Sequence, residues 1–73
     1  MSCQITVMDF IEQHSAIYVQ VEVYDEQYQQ LYQQEVRFLG DLLYGDLVHA
    51  KKSPLTESCR LQTIAYIRNY FNR

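Results

Sequence analysis

The stretch Gln27–Tyr44, QYQQLYQQEVRFLGDLLY, decides the architecture. Two templates compete for it. Read as a strand, Tyr32, Gln34, Val36 and Phe38 alternate. Read as a helix turning about 100° per residue, Tyr28, Leu31, Tyr32, Val36, Phe38, Leu39, Leu42 and Leu43 gather within about 160° of arc. Gln29, Gln30, Gln33, Gln34, Arg37 and Asp41 then fall opposite. The helix template sorts nearly every position and the strand template only a few, so the pattern predicts a helix. Asp25 suits its N-cap, Glu26 its first turn and Gly45 its C-terminal stop.

Upstream, Ile17–Tyr24 (IYVQVEVY) alternates cleanly, with Ile17, Val19, Val21 and Val23 on one side and Tyr18, Gln20, Glu22 and Tyr24 on the other. Period two with β-branched residues on one face predicts a half-buried strand. Cys3–Ile11 reads as a weaker strand, with Ile5 and Val7 on one face and Thr6, Met8 and Phe10 on the other. The polar segment between them, Glu12–Ser15, is short enough for a hairpin loop. Downstream, Asp46–Lys52 reads as a linker. Ser53-Pro54 then opens a second helix as cap and first helical residue, with Glu57 in its first turn. That helix is expected from Pro54 to about Phe71. Its apolar face is broad, comprising Leu55, Cys59, Ile64, Tyr66, Ile67, Tyr70 and Phe71, so it should touch two surfaces.

The fold class expected is α+β in the order β-β-α-α, an antiparallel hairpin packed against two helices in a single domain spanning residues 1–73. A hairpin alone is marginal in water and leaves exposed edges. Pairing those edges across a two-fold axis would complete the sheet, so a homodimer is expected. A third strand over Gln27–Tyr44 in a self-sufficient sheet would remove both this reason for a dimer and the docking face derived from the hairpin.

A chain of 73 residues buries only about 60% of its unfolded surface. Cys3 and Cys59 are far apart and form no disulfide framework, no secretory signal precedes them, and no apolar run approaches a membrane span. These features predict a soluble cytoplasmic protein with no membrane association and no disulfide. The formal charge is −3. Residues 1–46 carry −7 and residues 47–73 carry +4. Such a dipolar chain speaks about partners rather than about fold.

Chemistry-bearing motifs are scarce. His14 falls in the hairpin loop and His49 in the linker, with a cysteine near each end. This spacing predicts no metal site and no cofactor. Cys59 on an apolar helix face behaves as a small buried hydrophobe, and no phosphate loop or nucleophile motif is present, so no enzyme is expected. Glu35 interrupts the apolar stripe of the first helix and Arg60 that of the second, which predicts a structural ion pair between them.

The outward strand face, Tyr18, Gln20, Glu22 and Tyr24 continuing into Asp25 and Glu26, interleaves tyrosines with carboxylates. Rigid aromatic anchors beside selective charge make good partner-binding material. The function expected is a small acidic protein-binding module that acts by occupancy on a basic surface, as an inhibitor, adaptor or antirepressor. In size and charge alone it is similar to phage and mobile-element inhibitors of host nucleic-acid-handling complexes. Two alternatives stand beside it. One is a small nucleic-acid-binding regulator using Lys51, Lys52, Arg60, Arg68 and Arg73, which the overall acidity disfavours. The other is an accessory subunit of a larger complex.

Overall fold

Gln27–Tyr44 is not a helix. In the computed structural model, which describes residues 3–73, the chain runs β1 (Cys3–Gln13), β2 (Ala16–Asp25), β3 (Gln30–Leu39), β4 (Leu42–Tyr44), a short 3-10 turn (Asp46–Val48) and α1 (Glu57–Phe71). The four strands form one antiparallel sheet in sequence order. The fold is therefore α+β, with one helix where two were expected.

The alternation that lost on paper wins in three dimensions. β2 pairs with β3 over ten residue pairs, setting Ile17 against Phe38, Val19 against Val36, Val21 against Gln34 and Val23 against Tyr32. A preformed valine-rich face rewards every second residue of β3 with burial, which a period count made on β3 alone does not include. The supposed helix cap serves a turn instead. The Asp25 carboxylate accepts the Gln27 N–H at 3.1 Å, and Gln29 then takes a left-handed φ of 54° to return the chain. Gly40, at φ 61°, sits in the turn joining Leu39 to its partner Leu42. Gly45 is not a helix stop. At φ 145° it passes so close to β3 that a Cβ there would lie 2.9 Å from Val36 Cγ1.

β1 pairs with β2, and the two-residue turn at His14-Ser15 links Gln13 to its partner Ala16. The register shifts between Val7 and Asp9, leaving Met8 as an inserted residue. This bulge corrects the expected facing of Phe10. Instead of joining Thr6 on the outer face, Phe10 lies on the helix side, 5.0 Å from the Phe71 ring.

α1 begins at Glu57, later than the expected Pro54, because Thr56 rather than Ser53 is the cap. The Thr56 hydroxyl oxygen accepts the Cys59 N–H at 3.2 Å, while Ser53 Oγ accepts the Leu55 N–H in the preceding turn. Only Cys59, Thr63 and Ile67 of α1 are fully buried; Tyr66 and Tyr70 are exposed. At its far end Arg68 donates to the Asp41 carbonyl and Arg73 to the Gly40 carbonyl, tying the helix to the β3–β4 turn. The core beneath α1 comprises Ile17, Val19, Val21, Val23, Val36, Phe38, Leu47, Val48, Leu55, Cys59 and Ile67.

Two further corrections follow from this packing. Cys3 and Cys59, 56 residues apart, are joined by a disulfide with a Cα–Cα distance of 5.5 Å. The expectation of a reducing cytoplasm leaned on unpaired cysteines and loses that support. The argument for a homodimer rested on a two-stranded sheet in want of partners. One chain supplies four strands, so that argument lapses, and the docking face derived from a lone hairpin lapses with it; the open face of this fold is that of the four-stranded sheet.

Candidate functional site

The sheet has two unlike faces. One lies under α1. On the other, register sets Gln4, Tyr24 and Leu31 in one row, Thr6, Glu22 and Gln33 in the next, then Asp9, Gln20 and Glu35, then Ile11, Tyr18, Arg37 and Tyr44. A last row carries Gln13, Ala16, Leu39 and Leu42. α1 and the 3-10 turn pack on the side of Val19, Val36 and Phe38, so among the described residues no layer covers these rows.

Four of the six residues expected to meet a partner, Tyr18, Gln20, Glu22 and Tyr24, share this open face. Asp25 does not. It is 1% exposed, faces the helix side, and accepts the Thr56 N–H at 2.8 Å in addition to that of Gln27. Burial acts to raise the Asp25 pKa. Hydrogen bonds from the Thr56 backbone and side chain and from the Gln27 and Tyr28 backbones outweigh it, holding the carboxyl below its ordinary value of 3.8. Asp25 is a structural anchor for the start of α1. Glu26 lies in the β2–β3 turn, half-buried.

Glu35 and Arg60 do not meet. Glu35 stands on the open face and accepts Gln20 Nε2 at 3.1 Å, whereas Arg60 is on α1, across the sheet. A second amide–carboxylate pair, Gln33 Nε2 to Glu22 Oε1 at 2.7 Å, lies one row away. The carboxylates are thus oriented by glutamines from neighbouring strands. Sequence reasoning missed Gln33, Glu35, Leu31, Arg37 and Tyr44 as members of this face, because they belonged to the stretch read as a helix. The signal was present in the minor alternation of Tyr32, Gln34, Val36 and Phe38, whose intervening residues are Gln33, Glu35 and Arg37.

Pleat geometry gives the face a scale. Rows on one side of a strand repeat at about 7 Å and strands lie about 4.8 Å apart. Glu22 and Glu35 are therefore about 8 Å apart along the diagonal, and Asp9 and Glu35, two strands apart, about 10 Å. With Asp9, Glu22 and Glu35 against Arg37, the face carries a net formal charge of −2. Exposed Leu31, Leu39, Leu42 and Ile11 border the charged centre.

Other concave surfaces are shallow. A cleft of about 610 Å³ is lined by Asp41, Ala65, Arg68, Asn69, Asn72 and Arg73, where both guanidiniums donate to backbone carbonyls. His14 is exposed in its turn, and His49 Nδ1 accepts the Lys51 N–H at 3.0 Å. Among the described residues no group of three or more His, Cys, Asp or Glu side chains converges, and no helix is long and apolar enough to cross a membrane. No protein-family model, curated protein or solved structure matches the chain.

Proposed function

We propose that this protein is a binding module that acts by occupancy, laying the open sheet face on a basic surface of another protein. The observation that carries the reading is the absence, among the described residues, of any layer over a four-stranded face built from Tyr18, Tyr24 and Tyr44, exposed leucines, and carboxylates held in place by Gln20 and Gln33. Exposed apolar area rimmed by oriented polar groups is a common mark of a protein contact surface. The charge selects the partner. A face of net −2 repels phosphate backbones and repels a second copy of itself, and it attracts lysine and arginine. The occupancy role as inhibitor, adaptor or accessory subunit follows from this docking and is part of the proposal.

The nucleic-acid reading is weaker, since Arg68 and Arg73 are engaged in holding α1 to the β3–β4 turn. A photo-crosslinking residue at position 24, with one at position 66 on the helix side as control, tests the proposal in lysate of the cells that make the protein. A partner captured from position 24 and lost in the double variant Glu22→Lys, Glu35→Lys supports it. Capture only from position 66, or retention on heparin lost steeply as salt rises, overturns it.

A further inference from the structure

We propose that the Cys3–Cys59 bond is a site of thiol–disulfide exchange, attacked at Cys3, and that its opening frees the first turns of α1 from the sheet. Two independent observations converge on it. First, the two sulfurs differ in access. Cys59 is 2% exposed and lies in the core, whereas Cys3 is only partly buried, on an edge strand, with its Sγ 3.9 Å from Thr63 Oγ1. An external thiolate must approach one sulfur in line with the bond while the other leaves. Of the two residues Cys3 is the less buried, so the attack falls on its sulfur. The departing sulfur is that of Cys59, three residues after the Thr56 cap, where the first turn of the helix offsets part of the cost of burying its negative charge.

Second, the start of α1 is lightly held, whereas its far end is tied by Arg68, Arg73 and the Phe71 ring. Of its 15 residues only Cys59, Thr63 and Ile67 are fully buried, and the disulfide is one of two fastenings at its start, the other being the Asp25 carboxylate on the Thr56 N–H. Opening the bond leaves the valine-rich strand pairing of β2 and β3 untouched and removes the covalent link across the β1–α1 contact.

The chemistry balances with a thiol as reductant. Its thiolate forms a mixed disulfide with Cys3 and the Cys59 thiolate departs. A second thiolate then attacks the external sulfur of that mixed disulfide, so that two external thiols are oxidised to one disulfide and the protein is left with two thiols.

Glutathione serves as the probe. The oxidised full-length chain is exposed briefly to it, quenched in acid, alkylated and mapped by mass spectrometry. Glutathione on Cys3 with the alkyl group on Cys59 is the expected result. Glutathione on Cys59, or reduction that proceeds only in urea, overturns the site. Cys59→Ser provides a separate reading, because Cys3 should then take up glutathione rapidly from its disulfide, while Cys59 in Cys3→Ser should alkylate at least about tenfold more slowly than Cys3 does in Cys59→Ser. Equal rates count against the site. Hydrogen exchange on the reduced chain tests the release. Exchange in residues 57–63 is expected to rise at least about tenfold with residues 17–38 unchanged. A uniform rise, or none, overturns the release.

Discussion

At the scale of single residues, two positions concentrate the local physics. Asp25 closes the β2–β3 turn through Gln27 and anchors the start of α1 through Thr56. Asp25→Ala leaves both donors without their acceptor and is expected to cost about 2–3 kcal/mol in a denaturant titration. The same residue sets a pH dependence. Because hydrogen bonding lowers its folded-state pKa, its contribution is fully present above the ordinary 3.8 and is lost as the pH falls from there through the folded value. Asp25→Asn should be destabilised at neutral pH and should flatten this loss; an acid profile parallel to that of the parent protein would exclude the assignment. Gly45, at φ 145° and pressed against Val36, has neither the room nor the backbone for a side chain. Gly45→Ala is expected to cost about 1–3 kcal/mol, read as a fall in the denaturant midpoint. Both residues stood out in the sequence as structural punctuation. Asp25 as a cap and Gly45 as a stop were sound readings of residue type, but each punctuates a strand connection rather than a helix, because side-chain capping and glycine conformations serve both.

Among the elements, β2 was fully legible: its strict alternation is visible without its neighbours and holds in the fold. β1 was legible as far as Val7, after which the inserted Met8 moved Phe10 to the helix side, a shift no alternation count detects. α1 was found with its start displaced, since Ser53-Pro54 and Thr56 are both credible caps and tertiary contact with Asp25 favours the latter. β3 was misread for a physical reason. Gln-rich segments with scattered apolar residues fit a helical stripe, and only the adjacent face of β2 supplies the burial that repays the strand. Phe38 gathers that reward, being fully buried and edge-on to Phe71 at 5.8 Å. Phe38→Ala is expected to cost about 3–5 kcal/mol by thermal or denaturant unfolding, against little for the outward neighbour Arg37→Ala. Comparable costs at the two positions would contradict the strand register. The β3 part of the candidate face was illegible for the same reason, since Leu31, Gln33, Glu35 and Arg37 are the outward half of that strand.

For the whole molecule, the covalent link and the charge division matter most. In the chain-entropy account, a cross-link closing a loop of 56 residues' separation stabilises by about 4 kcal/mol, and native-state effects reduce this figure. Complete reduction should lower the melting temperature by several degrees; no change would mean the bond carries no constraint on the unfolded chain. The acidic face and the cationic second half lie on different sides of the sheet, so a basic partner can be met by the first without opposition from the second. The inserted Met8 has a consequence of its own. A long outer strand beside exposed aromatics could template the addition of further chains, one 4.8 Å step at a time. An extra residue breaks that ruler, because an incoming straight strand cannot match its spacing on both sides of the kink. Deleting Met8 would restore an even alternation through Val7, Asp9 and Phe10, and such a variant should form thioflavin-positive fibrils under conditions where the parent chain stays dispersed.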